Sequence, residues 1–187
     1  ADRRNGLAGE EGLVARHDDV REGDEALQHV VGDDGAGEIA EEHRAFLQVL
    51  NTGVVHLTWL FAHGMKARGY GRIINLASVA AFAPQLRGNL YGAAKSFVLD
   101  FSQALDLELK PHGVHCTAIC PGFTFSEFHD VMGTRKAVSR LPRFLWMTAE
   151  EVTEQGYAAV MEGKAVLVNG LVNQGVSQVM AMLPPGV

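Results

Sequence analysis

GRIINLASVAAF, residues 71–82, sets a glycine ahead of a short apolar, β-branched run that ends in small residues. Such a run suits a strand buried on both faces, with Ser78 at its C-terminal end. Upstream, Phe46, Leu47, Leu50, Val54, Leu57 and Leu60/Phe61 recur at three- and four-residue steps. This spacing predicts a helix from Ala40 to about Arg68, stopped by Gly69. Downstream, beyond Pro84 and Gly88, residues 90–110 predict a second helix with Leu90, Ala94, Phe97, Phe101, Leu105 and Leu109 on one face, ended by Pro111 and Gly113. VHCTAIC (114–120) is a second buried strand, broken by Pro121-Gly122. A loop and short helix rich in Phe are expected from Phe123 to about Arg143. Thr148, with Glu151 three positions on, opens a helix through a capping box. KAVLVNG (164–170) is a third strand, and residues 172–183 form a last helix before Pro184-Pro185. Helices and strands in alternation predict an α/β fold with a parallel sheet, in which ligands bind at the carboxyl ends of the strands. Ser78 and Pro121-Gly122 both occupy such ends.

Composition agrees with a globular chain: 47% of the 187 residues are hydrophobic and 20% charged. The net charge of -6 is unevenly spread. Residues 1–44 hold thirteen Asp/Glu against five Arg, and the remainder holds nine acids and eleven bases. A dense Lys/Arg stripe is missing from both parts, so nucleic acid is not an expected partner. Cys116 and Cys120 without a secretory leader point to a reducing compartment. The longest apolar stretch, Val54 to Met65, is interrupted by His56 and His63 and, at twelve residues, is too short to span a bilayer. No membrane partner is therefore expected, and cytoplasmic residence is the default. Before Phe46, the first aromatic residue, the chain is mainly Gly, Asp, Glu, Arg and His without a sustained period. Residues 1–44 read as an atypical, acidic, Gly-rich and poorly structured segment. Gly12–Ala15 and Leu27–Val31 are its two candidate strands.

Tyr91 and Lys95 stand one helical turn apart, so their side chains project from one face. A tyrosine hydroxyl can deliver a proton to a forming alkoxide, but its ordinary pKa of about 10 is high for exchange near neutrality. A lysine ammonium nearby favours the phenolate and lowers that pKa. Ser78, on the strand end facing the helix, can hydrogen-bond a substrate oxygen. A Tyr-Lys pair alone is usually a surface pair; its conjunction with Ser78 and with Pro121-Gly122 makes a site.

GRIINLASVAAF followed by YGAAK (91–95) and GVHCTAICPGFTFSEF (113–128) resembles the short-chain dehydrogenase/reductase family, in its single-domain form with a Ser-Tyr-Lys-Asn tetrad. Asn51, in VLNTGVVHLT, matches the family's helix asparagine, which there supports a water relay from the lysine. The resemblance covers residues 45–187. It implies a Rossmann-like parallel sheet with flanking helices, incomplete in its N-terminal half. It also implies an oxidoreductase interconverting a carbonyl and a secondary alcohol by hydride transfer with NAD or NADP. The implied catalytic set is Tyr91, Lys95, Ser78 and Asn51. The implied cofactor-binding set is Tyr91, Lys95, Pro121, Gly122, Thr124 and Ser126, with Ser126 where the family commonly has a threonine touching the carboxamide. Family members commonly pair through the two long helices, so a homo-oligomer is expected.

The family's opening strand and its T-G-x-x-x-G-x-G turn, which cradles the cofactor phosphates, are not matched. Gly6, Gly9 and Gly12, or Gly32, Gly35 and Gly37, lack the spacing, and Asp33 and Asp34 would repel a pyrophosphate. The N-N-A-G motif after the fourth strand is absent as well. The expectation is that residues 1–44 replace the family's opening, through a frameshift or a misassigned start. This leaves a competing reading, a truncated, catalytically silent relic serving as a dimerisation or interaction module. An epimerase or dehydratase sharing the Tyr-Lys pair is a third, weakened by Pro121-Gly122 and the short C-terminal region. Zinc at His112, His115, Cys116 and Cys120 is not expected, because the two thiols fall on one face of a buried strand. His56 and His63 read as packing or surface residues. Phe123, Phe125, Phe128, Phe144, Trp146 and Met147 could line an apolar pocket or pack in the core.

Overall fold

A computed structural model of the chain describes residues 41–83, 90–125 and 142–182. Three strands, β1 (Gly71–Leu76), β2 (Val114–Cys120) and β5 (Val166–Val168), form a sheet in the order β1-β2-β5. Both pairings are parallel, with Gly71 opposite Val114 and Ala118 opposite Val166. A parallel return needs a crossover, and helices supply each one. Helices α1 (Glu41–Leu47) and α2 (Gly53–Ala67) precede β1. Helix α3 (Leu90–Leu109) joins β1 to β2, α4 (Ala149–Met161) leads into β5, and α5 (Leu171–Met182) follows it. The strands β3 (Phe123–Phe125) and β4 (Trp146–Thr148) make a separate two-stranded parallel sheet. The two candidate strands in residues 1–44 lie outside the described residues.

β2 is the centre of the sheet and is covered on both faces. Val114, Ala118 and Cys120 pack with Leu109, Val98 and Leu99 of α3, while Ile119 faces Gly156 of α4. β1 departs from the expected burial on both faces. Its Ile73 and Ala77 enter the core, but Ile74 and Leu76, on the opposite face, are 40% and 54% exposed. Among the described residues β1 is the last strand on its side of the sheet, so that face lacks the cover an inner strand would have.

The first helix is also not the uninterrupted one that the periodicity predicts. Residues Gln48–Thr52 form a single π turn, with the Gly53 N–H bonded to the Gln48 carbonyl. The wider turn brings Asn51 against α3, where its Nδ2 donates to the Ala94 carbonyl at 3.0 Å. Residues 43–67, taken as one helix, are long and apolar enough to cross a membrane by length and composition. This exceeds the limit set by the stretch from Val54 to Met65, because His56 and His63 are diluted over a longer window. Leu57, Leu60 and Phe61, expected on a packed stripe, are exposed together with Trp59.

On α3 the core face includes Ala94, Leu105 and Leu109 as expected but not Phe97. Ala94, Lys95, Val98, Leu99, Ser102, Asp106 and Leu109 are buried, whereas Phe97 is exposed and stacks on Phe101 at 5.9 Å. Polar partners turn the helix this way: Asn75 Nδ2 donates to Ser102 Oγ at 2.9 Å, and the Cys116 N–H donates to Asp106 Oδ1 at 3.0 Å. Buried polar groups that find partners do not have to face water.

At the opposite end of the sheet, Gly69 and Gly113 end α2 and the turn after α3 with φ of 68° and 74°. A Cβ on Gly113 would meet the Gly69 carbonyl oxygen, so the two chain reversals pack backbone against backbone. Thr148 and Glu151 complete the predicted capping box of α4 at 3.2 and 2.8 Å. Phe123–Phe125, expected as loop, pairs as β3 because Phe123 and Phe125 pack on Trp146 at 5.5 and 4.8 Å between ring centroids. Residues 126–141 lie outside the described ones.

Candidate active site

The carboxyl ends of β1 and β2 are joined beyond their last ladder bond. The Ala77 N–H donates to the Ile119 carbonyl at 2.8 Å, and the Val79 N–H to the Pro121 carbonyl at 3.0 Å. Between these two bonds stands Ser78, buried and extended, at the start of a 3-10 turn over Val79–Phe82. Its Oγ accepts from the Ala80 N–H at 3.2 Å and hydrogen-bonds the Tyr91 side chain. The turn is fastened to α3 by Ser96, whose Oγ donates to the Ala81 carbonyl at 2.9 Å. Ser78 and Tyr91 therefore meet through backbone that is held on both sides.

One turn along α3, Lys95 is buried, and its ammonium donates to the Leu76 carbonyl at 2.8 Å. It also lies 5.7 Å from the centre of the Tyr91 ring. Asn51 reaches the carbonyl of the neighbouring Ala94, and its Oδ1 is buried without a hydrogen-bond partner. All four members of the expected tetrad thus converge on one end of the sheet. Pro121 and Gly122 adjoin them at the end of β2, with Thr124 Oγ1 donating to the Gly122 carbonyl at 3.2 Å. Ser126 lies outside the described residues.

Burial disfavours the charged form of each titrating group in this cluster. It brings Lys95 down to about 8, opposed by the nearby Cys120. It raises Tyr91 above its ordinary value, opposed by the bond from Ser78. The expected lowering of the Tyr91 pKa by Lys95 is not what prevails here: desolvation of the phenolate is the largest influence, while the ammonium is directed at the Leu76 carbonyl. Cys120, read from sequence as a small buried thiol of the strand, lies near Ser78 and Lys95. Burial pushes it up to about 12, against the Ser78 backbone and the Lys95 charge, which both pull it down. Its position directly before Pro121 was the available signal.

The family profile described as short chain dehydrogenase matches residues 34–136. The chain belongs to the short-chain dehydrogenase family. This match begins ahead of residue 45, where the motif resemblance starts. The NADP-dependent 3-hydroxy acid dehydrogenase YdfG of Escherichia coli strain K12 is 35% identical over 118 residues, covering 61% of this chain and 48% of that one. Serine 3-dehydrogenase of Agrobacterium fabrum is 34% identical over 134 residues, covering 70% of this chain and 53% of that one. This short-chain dehydrogenase chain thus spans about half the length of the curated relatives it matches. Among solved structures, a short-chain dehydrogenase from Sphingobium yanoikuyae in complex with NADPH has a TM-score of 0.64 at 23% identity, covering 92% of this chain and 74% of that one. The closed form of serine dehydrogenase complexed with NADP+ has a TM-score of 0.61 at 29% identity, covering 71% and 56%. The Rossmann-like parallel sheet with flanking helices is therefore the family's fold, seen here in part.

Proposed function

We propose that the chain carries the proton-transfer half of an NAD(P)-dependent oxidoreductase that interconverts a small carbonyl compound and its secondary alcohol. The observation that carries this reading is the meeting of Ser78 and Tyr91, hydrogen-bonded to each other, with a buried Lys95 at the carboxyl ends of two parallel strands. The residues fit the nicotinamide-ribose end of a dinucleotide. Lys95 is a buried cation, Pro121-Gly122 is a backbone loop next to it, and Asn51 Oδ1 is a buried acceptor in want of a donor. The phosphate end has no counterpart among the described residues. When bound, the dinucleotide supplies or accepts the hydride at the substrate carbon. In the reducing direction Tyr91 gives its hydroxyl proton to the carbonyl oxygen, and in the oxidising direction its phenolate takes that proton back. Ser78 holds the same oxygen by a hydrogen bond, which strengthens as negative charge develops. Lys95 binds ribose hydroxyls, and Asn51 anchors a proton path from Lys95. The NADP dependence of the Escherichia coli 3-hydroxy acid dehydrogenase and the NADP+ complex of serine dehydrogenase support NADP as the cofactor to test before NAD. Cytoplasmic residence and a small-molecule substrate, with neither nucleic acid nor membrane as partner, complete the reading.

Tyr91→Phe is expected to abolish turnover while leaving cofactor affinity largely unchanged, measured by nicotinamide fluorescence titration. Wild-type turnover in that variant would sink the assignment. A second reading, a silent module that associates with itself, is favoured by the exposed Trp59, Leu60 and Phe61 of α2 and Phe97 and Leu107 of α3. Titration with NADPH and NADH separates the two, because the silent module binds neither. Self-association through these helices belongs to both readings and is checked by sedimentation of a Leu60→Asp variant.

A further inference from the structure

The strand ends hold a second set of buried polar side chains that the tetrad does not use. β5 ends at Val168, and the next residue, Asn169, is fully buried. Asn173, in the first turn of α5, is buried as well, although its neighbours Leu171 and Val172 are exposed. A buried amide is costly unless it is held. That of Asn173 is held by its Nδ2, which donates to the Asn169 carbonyl at 2.8 Å. The acceptor is a carbonyl, so only the amide nitrogen can face it. The amide as a whole lies against Gly122: a Cβ built there would meet Asn173 Oδ1, and would stand 2.6 Å from Nδ2 and 2.7 Å from Cγ.

Asn169 is itself fixed on several sides. Its N–H donates to the carbonyl of Cys120, the residue before Pro121, at 3.3 Å. Its Nδ2 donates to the Val152 carbonyl and to Gln155 Oε1, both at 3.3 Å, and Gln155 Oε1 also accepts from the Gly170 N–H. The Pro121-Gly122 loop is thus held from two directions. Val79 holds the Pro121 carbonyl on one side, and Asn173, braced by Asn169, presses on Gly122 from the other. Helix α5 additionally packs against the turn that follows Ser78, so one helix supports both loops of the site.

We infer that Asn173 is a positioning residue, whose amide, braced by Asn169, sets the backbone course of Pro121-Gly122 where the nicotinamide end of the cofactor is read. The inference rests on the function proposed above for its consequence, but not for the contact itself. Two substitutions oppose each other across that contact. Gly122→Ala drives a Cβ into the Asn173 amide, and Asn173→Ala removes the amide and opens the space that the Cβ requires. Asn173→Asp keeps the shape but replaces the donor with a carboxylate facing the Asn169 carbonyl.

The full 187-residue chain carrying N173A, N173D, G122A and the G122A/N173A pair is compared with wild type by two readouts. The first is backbone amide exchange over residues 121–125, which needs no nucleotide. N173A and N173D are expected to speed it by about tenfold or more, with β1 and the first half of β2 unchanged. The second is NADPH affinity by nicotinamide fluorescence, beside that of adenosine 2′,5′-bisphosphate, which lacks the nicotinamide end and is measured by its displacement of NADPH. N173A and G122A are each expected to weaken NADPH by about tenfold and leave the bisphosphate unchanged. The double variant should be no weaker than G122A alone, rather than weaker by the product of the two effects. Unchanged exchange over 121–125 in both Asn173 variants, full multiplication in the double variant, or equal losses for both nucleotides overturns the positioning role. If N173A does not fold, N173D carries the same readouts, and failure of both to fold shows a purely structural role. A wild-type chain that binds no NADPH removes the proposed function, while the exchange result still decides whether Asn173 holds the loop.

Discussion

Replacing Lys95 with methionine should change how the stability of the protein depends on pH, and burial sets both the direction and the size. Lys95 is only 6% exposed, and its pKa falls from 10.5 to about 8, chiefly through desolvation of the ammonium. In the unfolded chain the lysine returns to its ordinary value. Between about pH 8 and pH 10.5 the unfolded chain therefore holds more protons than the folded one, and stability rises with pH across that window. Below it both states are protonated, and the cost of burying the charge is carried in full. At about 1.4 kcal/mol for each unit of pKa, the displacement amounts to roughly 3 kcal/mol as an upper figure. The other buried groups act in the opposite sense. Cys116 and Cys120, both pushed up to about 12, and Tyr91, also raised, lose their protons first in the unfolded chain, so their contribution falls as pH climbs above about 9. Wild type alone mixes these slopes, but its difference from Lys95→Met cancels them. Loss of the bond to the Leu76 carbonyl adds an offset that is the same at every pH. Urea unfolding from pH 7 to 10.5 should show wild type gaining about 3 kcal/mol on the variant as pH rises. Parallel stability curves for the two proteins would refute the burial of a charged lysine at this position.

Other expectations follow from local geometry. Gly69→Ala places a side chain at φ 68° with nothing within 4 Å and should cost about 1 kcal/mol. Gly113→Ala adds the collision with the Gly69 backbone, whose carbonyl carbon is 3.1 Å away; thermal melts giving equal losses for the two would count against that contact. Asp106→Ala leaves the buried Cys116 N–H unpaired and should lose about 1–3 kcal/mol in urea unfolding. Asp106→Asn, which keeps an acceptor, should lose less, and a reversed order contradicts the assignment. Neither Cys116 nor Cys120 should react with an aromatic disulfide reagent until urea unfolds the chain, since both are fully buried with raised pKa values; rapid labelling in native buffer would show the sheet to be open.

The alternation of elements was legible because each carries its own local signal. The run Ile73-Ile74 between glycine and Ser78, the step of four from Tyr91 to Lys95, and the Thr148 and Glu151 cap all act over a few residues. The end of β2 at Pro121-Gly122 and the end of α2 at Gly69 follow for the same reason. The candidate tetrad was legible too, Tyr91, Lys95 and Ser78 from their spacing and place in the elements, and Asn51 from the resemblance to the family.

Long-range contacts decided the rest. Periodicity marked Phe97 of α3 as core, yet Ser102 and Asp106 turned inward, since their partners Asn75 and Cys116 lie on strands that only folding brings near. The π turn at Gln48–Thr52 follows the packing of Asn51 against Ala94, forty-three residues away in sequence. Asn169 and Asn173, in VNGLVN, read locally as a turn and a helix start. Their position over Gly122 arises only when α5 closes on the end of β2. By itself, then, the sequence determined the long helices, the three strands of the larger sheet and which residue types could transfer a proton, because those depend on neighbours a few positions apart. Tertiary structure alone decided which faces are buried, that burial rather than Lys95 governs the Tyr91 hydroxyl, and what holds the Pro121-Gly122 loop. Desolvation and close packing depend on atoms that sequence keeps far apart.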